Sequence, residues 1–364
     1  MSLLPDADAF RRLVDGSRAG TAARLARSAL AAAAAPYAAV VAARNRAYDR
    51  GFLPTRRPPV PVVSVGNLTL GGTGKTPLVA WVARRCLAAG RRPAILSRGY
   101  GAARGTTSDE AAELALVVPG VRHVADRDRA AAATAAVAAG AEALVLDDGF
   151  QHRRLARDLD IVAIDATDPF GCGRIFPRGL LREPLAGLRR AGAIVLTRAD
   201  LVAADRCREI EAALAAACGD RAPRVCARAA HAPRRLRSAA GVDAPLDALR
   251  GRRVAAFCGI GNPAAFRSAV VRLGADVVEF RAFADHHAFS PADVAALARA
   301  VAATRADVIV TTLKDLVKVR RERLGDVPLV ALEIAIEFLA GEDDLAQAVD
   351  RAIGASGGDR GSAA

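Results

Sequence analysis

Lysine is almost missing from this basic chain: of its 52 lysine and arginine residues, only Lys75, Lys314 and Lys318 are lysine. A position that keeps a compact ammonium against so strong an arginine bias is informative, because a planar guanidinium cannot replace it in a tight site. Aromatic residues make up only 4% of the sequence. They do not interleave with basic residues as a base-stacking platform requires, which argues against nucleic acid despite a net charge of +13. The six cysteines (Cys86, Cys172, Cys207, Cys218, Cys226, Cys258) form no C-x-x-C pair. Neither a disulfide framework nor a thiolate metal cage is indicated, and a reducing cytosol suits them. The uncharged run 28–43 (SALAAAAAPYAAVVAA) is short for a spanning helix, weakly hydrophobic and interrupted by Pro36.

What is present is enough apolar sequence, 52% of 364 residues, for two ordinary domains. Residues 1–50 stand apart, with Arg11, Arg12, Arg18, Arg24 and Arg27 preceding or flanking the alanine-rich run. A basic helix lying in the membrane interface is the better physical reading, an alanine-rich helix packed on its own domain the alternative. Asp6, Asp8 and Asp15 argue against a secretory signal. Pro58, Pro59 and Pro61 then introduce short apolar runs (PVVSVGN, RPAILS, EALVLDD, LDIVAID, AGAIVLT), several separated by helical patterns. That alternation predicts an α/β domain over 51–232, largely parallel, with ligands at the strand C-termini. A smaller α/β domain is expected over 233–353, and residues 354–364 (GASGGDRGSAA) have the composition of a disordered tail.

The stretch LTLGGTGKTPLV (68–79) carries the chemistry. A strand, a glycine-bearing turn and a helix starting near Lys75 are the setting of a phosphate-binding loop, although Thr69 stands where G-x-x-x-x-G-K-[ST] has its first glycine. Backbone N–H groups of Gly71, Gly72, Thr73 and Gly74 would hold phosphate oxygens, Lys75 the outer phosphates, and Thr76 a Mg²⁺ ion. Pro77 falls in the first helical turn, where it is tolerated. GGTGKT also resembles the loop of membrane-associated partitioning ATPases, but Leu70 stands in place of their signature lysine. TRAD (197–200) faintly resembles the T-K-x-D guanine reader of GTPases. A phosphoryl-transfer site needs a carboxylate at a neighbouring strand end, and LVLDDGFQHRR supplies Asp147 and Asp148.

The chain resembles the tetraacyldisaccharide 4′-kinase (lipid A 4′-kinase) family through ordered phrases from about residue 35 to 340. They are VSVGNLTLGGTGKTP, SRGYG, DDGFQHRRLARDLDIV, FPRGLLREPLAGL, VLTRAD, FCGIGNP, FADHH and TLKDLVK. The resemblance implies a P-loop NTPase-like, mostly parallel sheet domain, a smaller second α/β/α domain, a two-stranded linker and an N-terminal membrane-associated helix. It implies transfer of the γ-phosphoryl group of ATP to the 4′-hydroxyl of an acylated glucosamine disaccharide 1-phosphate at the cytoplasmic face of the inner membrane. Lys75 and Thr76 would contact phosphate and Mg²⁺, with Asp147 and Glu183 as metal-side carboxylates. Tyr100, Arg127, Gln151, His152 and Arg182 match positions around the nucleotide or the disaccharide. Asp109 would be the base that takes the hydroxyl proton, tuned by His286 from the second domain, so that pairing them requires the domains to close. The family commonly shows G-D-E-P where this chain has Ser108-Asp109-Glu110-Ala111.

Two other readings stay open on sequence. Gly259, Gly261 and Ala264, with Glu279 about twenty residues on, satisfy a dinucleotide-binding fingerprint and would fit an NAD-dependent oxidoreductase. A membrane-bound regulatory NTPase would use the same phosphate loop without phosphorylating a lipid. His286 and His287 could be read as a metal pair, but neighbouring residues rarely chelate one ion together. DHH (285–287) also resembles a phosphoesterase motif, but the several upstream metal-binding aspartates of such enzymes are not evident.

Overall fold

The computed structural model describes residues 7–99, 109–221, 223, 225–285 and 287–354. The elements run α1 (Ala7–Val14), α2 (Thr21–Asp49), β1 (Val62–Asn67), α3 (Lys75–Ala88), β2 (Pro93–Ser97), α4 (Asp109–Val117) and β3 (Arg122–Ala125). Next come α5 (Arg129–Ala138), β4 (Ala143–Asp147), β5 (Leu159–Asp165), β6 (Ala193–Thr197), α6 (Ala204–Cys218), β7 (Val225–Arg237), β8 (Asp243–Ala244) and β9 (Arg253–Cys258). The chain ends with α7 (Pro263–Arg272), β10 (Asp276–Ala282), α8 (Pro291–Ala302), β11 (Val308–Thr312), α9 (Leu313–Val319), β12 (Arg323–Leu324), β13 (Val327–Ala340) and α10 (Glu342–Gly354).

Two compact units form. The first comprises residues 1–97, 128–230 and 338–364; the second comprises 98–127 and 231–337. In the first, the strand order is β2-β4-β1-β5-β6-β7, every neighbouring pair parallel. Strands covered on both faces must be apolar along their whole length, and β1, β2, β4, β5 and β6 are buried at every position. Parallel pairing puts the carboxyl ends of β1, β4, β5 and β6 at one edge, where the phosphate loop, the Asp147–Asp148 pair, Asp165 and Thr197 follow. In the second unit, β10, β9, β11 and β13 are parallel neighbours around a core that includes Phe266, Val270, Val254 and Val310.

The units are not contiguous in sequence, unlike the linear division at residue 233. Strands β7 and β13 are neighbours in the sheet, and each runs from one unit into the other. The chain therefore returns to the first unit, where α10 packs on α3 and β1 and buries Leu345, Val349 and Ile353. Arg85 Nε donates to Asp350 at 2.8 Å to fix that return. Residues 98–127 join the second unit because α4 packs on α9 and Arg237 donates to the Leu116 carbonyl. Residues 1–50 are likewise no separate domain. The C-terminal half of α2 is tied to the first unit by Arg153, which donates to the Asn45 carbonyl at 2.9 Å and pairs with Asp49 at 2.7 Å. Residues 355–364, expected to be a tail, lie outside the described residues.

One close approach sets the depth of the site. A Cβ on Gly66 of β1 would lie 2.5 Å from Phe150 Cβ and 2.7 Å from its backbone nitrogen. Backbone cannot step aside cheaply, so Gly66→Ala is expected to cost about 1–3 kcal/mol of stability in urea unfolding. A change under about 0.5 kcal/mol, the range of an indifferent surface substitution, would show that β1 and the turn after β4 are not in this contact.

Candidate active site

The loop after β1 shows why a first glycine is dispensable. Thr69 forms a β-bridge with Leu181, Leu70 N donates to Leu180 O at 2.7 Å, and Arg182 N donates to Leu68 O at 2.7 Å. Residues 68–70 are thus braced by segment 180–182, and Thr69, a β-bridge residue, has no need of positive φ. The glycine requirement falls later: Gly74, immediately before α3, is left-handed at φ 70° and turns the chain into the helix that begins at Lys75. The far side of the loop is held from β6. Thr197 Oγ1 donates to Thr73 O at 2.9 Å, and Arg198 Nη2 donates to Gly72 O at 3.1 Å while Arg198 also pairs with Asp165. TRAD therefore braces the phosphate loop rather than reading a guanine.

Lys75 is the centre. Its Nζ donates to Asn67 Oδ1 at 3.2 Å and lies 3.3 Å from Asp148 Oδ1. Arg182 Nη1 grips both Asp148 oxygens at 3.0 and 2.7 Å. Burial alone would raise this carboxyl, but Lys75 and Arg182 together hold it down at about 2. Asp148, at φ 52°, takes the left-handed conformation that aspartate tolerates better than most residues and turns its carboxylate toward the lysine. Gln151 Nε2 donates to Asn67 O at 2.9 Å and to Glu183 Oε1 at 3.1 Å, linking the loop to segment 180–190.

Asp147 ends β4, level with Val65 of β1, and is 6% exposed. Glu183 differs from the expectation of a metal-side carboxylate. Its side chain has no exposure, and its oxygens accept from Arg190 (2.9 Å to each), Asn45 Nδ2 (2.9 Å) and Gln151. Breaking a buried pair of this kind costs about 3–5 kcal/mol, so Glu183 is committed to its protein partners as it stands. Gly71 and Gly72 are exposed, and the Thr73 hydroxyl is buried without a hydrogen-bond partner.

The structure gathers Lys75, Gln151, Arg182 and Glu183 with the loop, and adds Asn67, Asp148, Arg190, Asn45 and Arg198. Of these additions, Asp148, Arg198 and Asn67 stand in phrases the sequence singles out (DDG, TRAD and VSVGNLTLGGTGKTP), whereas Arg190 and Asn45 carried no signal. Thr76 follows Lys75 in the first turn of α3, half-buried. His152 sits in the same turn as Gln151 with a buried Nε2 that has no hydrogen-bond partner. Arg127 is exposed and belongs to the second unit. Asp109 begins α4, which belongs to the second unit as do residues 283–285 and 287, so the expected need for closure between units to bring those parts of the chain together does not follow from this division. Tyr100 and His286 lie outside the described residues.

In the second unit, the turn Gly259–Gly261 does follow a strand, but its Gly259 N–H is given to the buried Asp315 Oδ2 at 2.8 Å. A carboxylate beneath the turn repels a pyrophosphate, which removes the support for a dinucleotide site there. His287 stacks on Phe283 (centroids 4.7 Å apart) and its Nε2 lies 3.2 Å from Asp293, an anchoring role rather than half of a metal pair.

A glycine loop between a parallel strand and a helix, a lysine at the helix start and strand-end aspartates beside it define a P-loop phosphotransferase domain. The family described as tetraacyldisaccharide-1-P 4′-kinase matches residues 26–354. The tetraacyldisaccharide 4′-kinase of Anaeromyxobacter sp. (strain Fw109-5) is 46% identical over 343 residues, covering 87% of this chain and 89% of its own. That of Geobacter sulfurreducens is 41% identical over 349 residues, covering 88% and 92%. The crystal structure of Aquifex aeolicus LpxK in complex with ATP is 31% identical, covers 90% of this chain and 99% of its own, and superposes with a TM-score of 0.71. The chain belongs to the tetraacyldisaccharide 4′-kinase family of lipid A biosynthesis.

The half-buried His152 gives a pH prediction. Burial, reinforced by Arg129, Arg157 and Arg154, pushes His152 down to about 4 from its ordinary 6.5. Below 6.5 the unfolded chain binds the proton that the folded chain refuses, so stability falls as pH drops from 6.5 toward 4, by up to ~1.4 kcal/mol per unit. His152→Gln is expected to flatten this part of the stability–pH curve measured by urea unfolding. Parallel wild-type and variant curves would mean that His152 titrates freely when folded.

Proposed function

We propose that the chain transfers the γ-phosphoryl group of ATP to the 4′-hydroxyl of a tetraacylated glucosamine disaccharide 1-phosphate at the cytoplasmic face of the bacterial inner membrane. The observation that carries this reading is the Lys75 ammonium resting between Asn67 and Asp148 at the mouth of the glycine loop. Arriving phosphate oxygens would replace Asp148 as its partner, while Arg182 keeps the aspartate charge compensated. N–H groups of Gly71, Gly72, Thr73 and Gly74 line the loop for the remaining phosphate oxygens. Thr76 and Asp147 offer hard oxygen donors of the kind Mg²⁺ takes, and the ion, when bound, offsets negative charge on the phosphates. Glu183 serves by holding Gln151 against the loop.

A sugar hydroxyl is a weak nucleophile at neutral pH and needs a base within reach. Asp109 fills that role in this reading, tuned by His286, and Tyr100, Arg127, Gln151, His152 and Arg182 contact nucleotide or disaccharide. The acceptor is a lipid, and α2 suits its delivery. It is a 29-residue helix, long and apolar enough to cross a membrane by composition, with Leu25 and Val40 about two-thirds exposed or more and Arg24 exposed beside them. Such a helix binds an anionic membrane surface through both its apolar side and its charge.

Labelled γ-phosphate transfer to the disaccharide in mixed micelles tests the reading. Lys75→Ala is expected to lower kcat at least about 100-fold, the scale of losing one preorganised charge contact to the transition state. Asp109→Ala and His286→Ala are expected to lower kcat with KM for ATP little changed. Membrane-stimulated phosphate release without labelled lipid would instead favour a regulatory NTPase.

A further inference from the structure

Two of the three lysines have no part in the phosphate loop. They lie four residues apart on α9, hence on one helix face. Lys314 Nζ donates to Asp285 Oδ1 at 2.9 Å. Lys318 Nζ donates to the His287 carbonyl at 3.1 Å and lies 3.7 Å from Asp315 Oδ1. The residues on both sides of position 286 are therefore held by the same helix.

The mount itself is densely bonded. Asp315 has no exposure; its Oδ2 accepts from Gly259 N at 2.8 Å and from Thr312 Oγ1 at 2.7 Å. Phe283 N donates to Cys258 O at 2.8 Å, tying the start of the segment to the end of β9. A Cβ on Gly259 would come within 3.3 Å of Asp315 Oδ1, Ala284 O and His287 Cβ alike, so α9, the Gly259 turn and the segment are packed against one another. Lys318 is 7% exposed. Its pocket accepts one compact ammonium between a carbonyl and a carboxylate; a guanidinium is wider and planar, which explains a lysine in an arginine-rich chain.

We propose that Lys314 and Lys318 are positioning residues for phosphoryl transfer, holding Asp285 and His287, the two chain neighbours of residue 286. The inference rests on reading that segment as the carrier of the histidine that tunes the base. It does not require either lysine to touch substrate.

The test measures kcat, both KM values and Tm for Lys314→Met, Lys314→Arg, Lys318→Met, Lys318→Arg, His286→Ala and each lysine-to-methionine change combined with His286→Ala. A misplacement of about 1 Å in a supporting segment can cost up to about 100-fold in rate, so kcat losses of about tenfold or more are expected for both methionine variants. Both KM values should stay within about twofold, since neither lysine is placed in a binding contact. Lys314→Arg should recover most of the rate, because its partner is an accessible carboxylate; Lys318→Arg should not. In the double variants the lysine change should add nothing to the loss from His286→Ala, because both act through one element. Lysine variants at the wild-type rate, or losses that multiply in the double variants, would overturn the inference while leaving the kinase reading intact. His286→Ala at the wild-type rate would overturn it together with the histidine's role. If burial of Lys318 makes its variants unfold, as Tm would report, the more exposed Lys314 series decides by the same criteria.

Discussion

The site depends on holding one ammonium in place at the mouth of the glycine loop. Lys75 is only 14% exposed, and Asn67 and Asp148 supply the partners that make that burial tolerable. The surrounding structure follows from this need. Parallel β1 and β4 put Asn67 and Asp148 at one edge, Gly66 lets the turn after β4 approach β1 closely, and Arg182 is a second cation on Asp148 beside Lys75.

The same cluster is wired to the N-terminal helix. Asn45 donates to Glu183 at 2.9 Å, Arg44 to the Gln151 carbonyl at 3.2 Å, and Tyr37 to the Arg182 carbonyl at 3.1 Å. The element best suited to a lipid surface therefore touches the residues that organise the phosphate loop. In the proposed reading, in which the acceptor is a lipid and α2 lies at the membrane, these bonds would connect the phosphate loop to the membrane-side helix.

Much of this was legible in the sequence. Apolar runs of five to seven residues gave the parallel strands, and GGTGKT gave loop, lysine and helix start in their true order. DDG was read as supplying a strand-end carboxylate, with Asp147 on the metal side, but which aspartate faces Lys75 depends on a left-handed backbone at Asp148, which no spacing reveals. Glu183 looked like a free carboxylate because its partners Arg190 and Asn45 lie at unrelated sequence distances. The domain boundaries failed for a similar reason. α4 and α10 are decided by which core they complete, Leu116 meeting Arg237 and Asp350 meeting Arg85, and such long-range choices leave no local periodicity. The dinucleotide fingerprint at Gly259 matched in pattern, yet a buried aspartate more than fifty residues later already occupies the turn.

The most direct measurement is the structure of the product. After incubation of wild-type protein with ATP, Mg²⁺ and tetraacylated disaccharide 1-phosphate, ³¹P–¹H correlation spectra of the extracted lipid report where any new phosphate sits. The expected result is a second phosphomonoester correlated with the 4′ proton, alongside the original one at position 1. An unchanged disaccharide accompanied by free phosphate, or a new phosphate at another hydroxyl, would contradict the assignment of this site as a 4′-kinase.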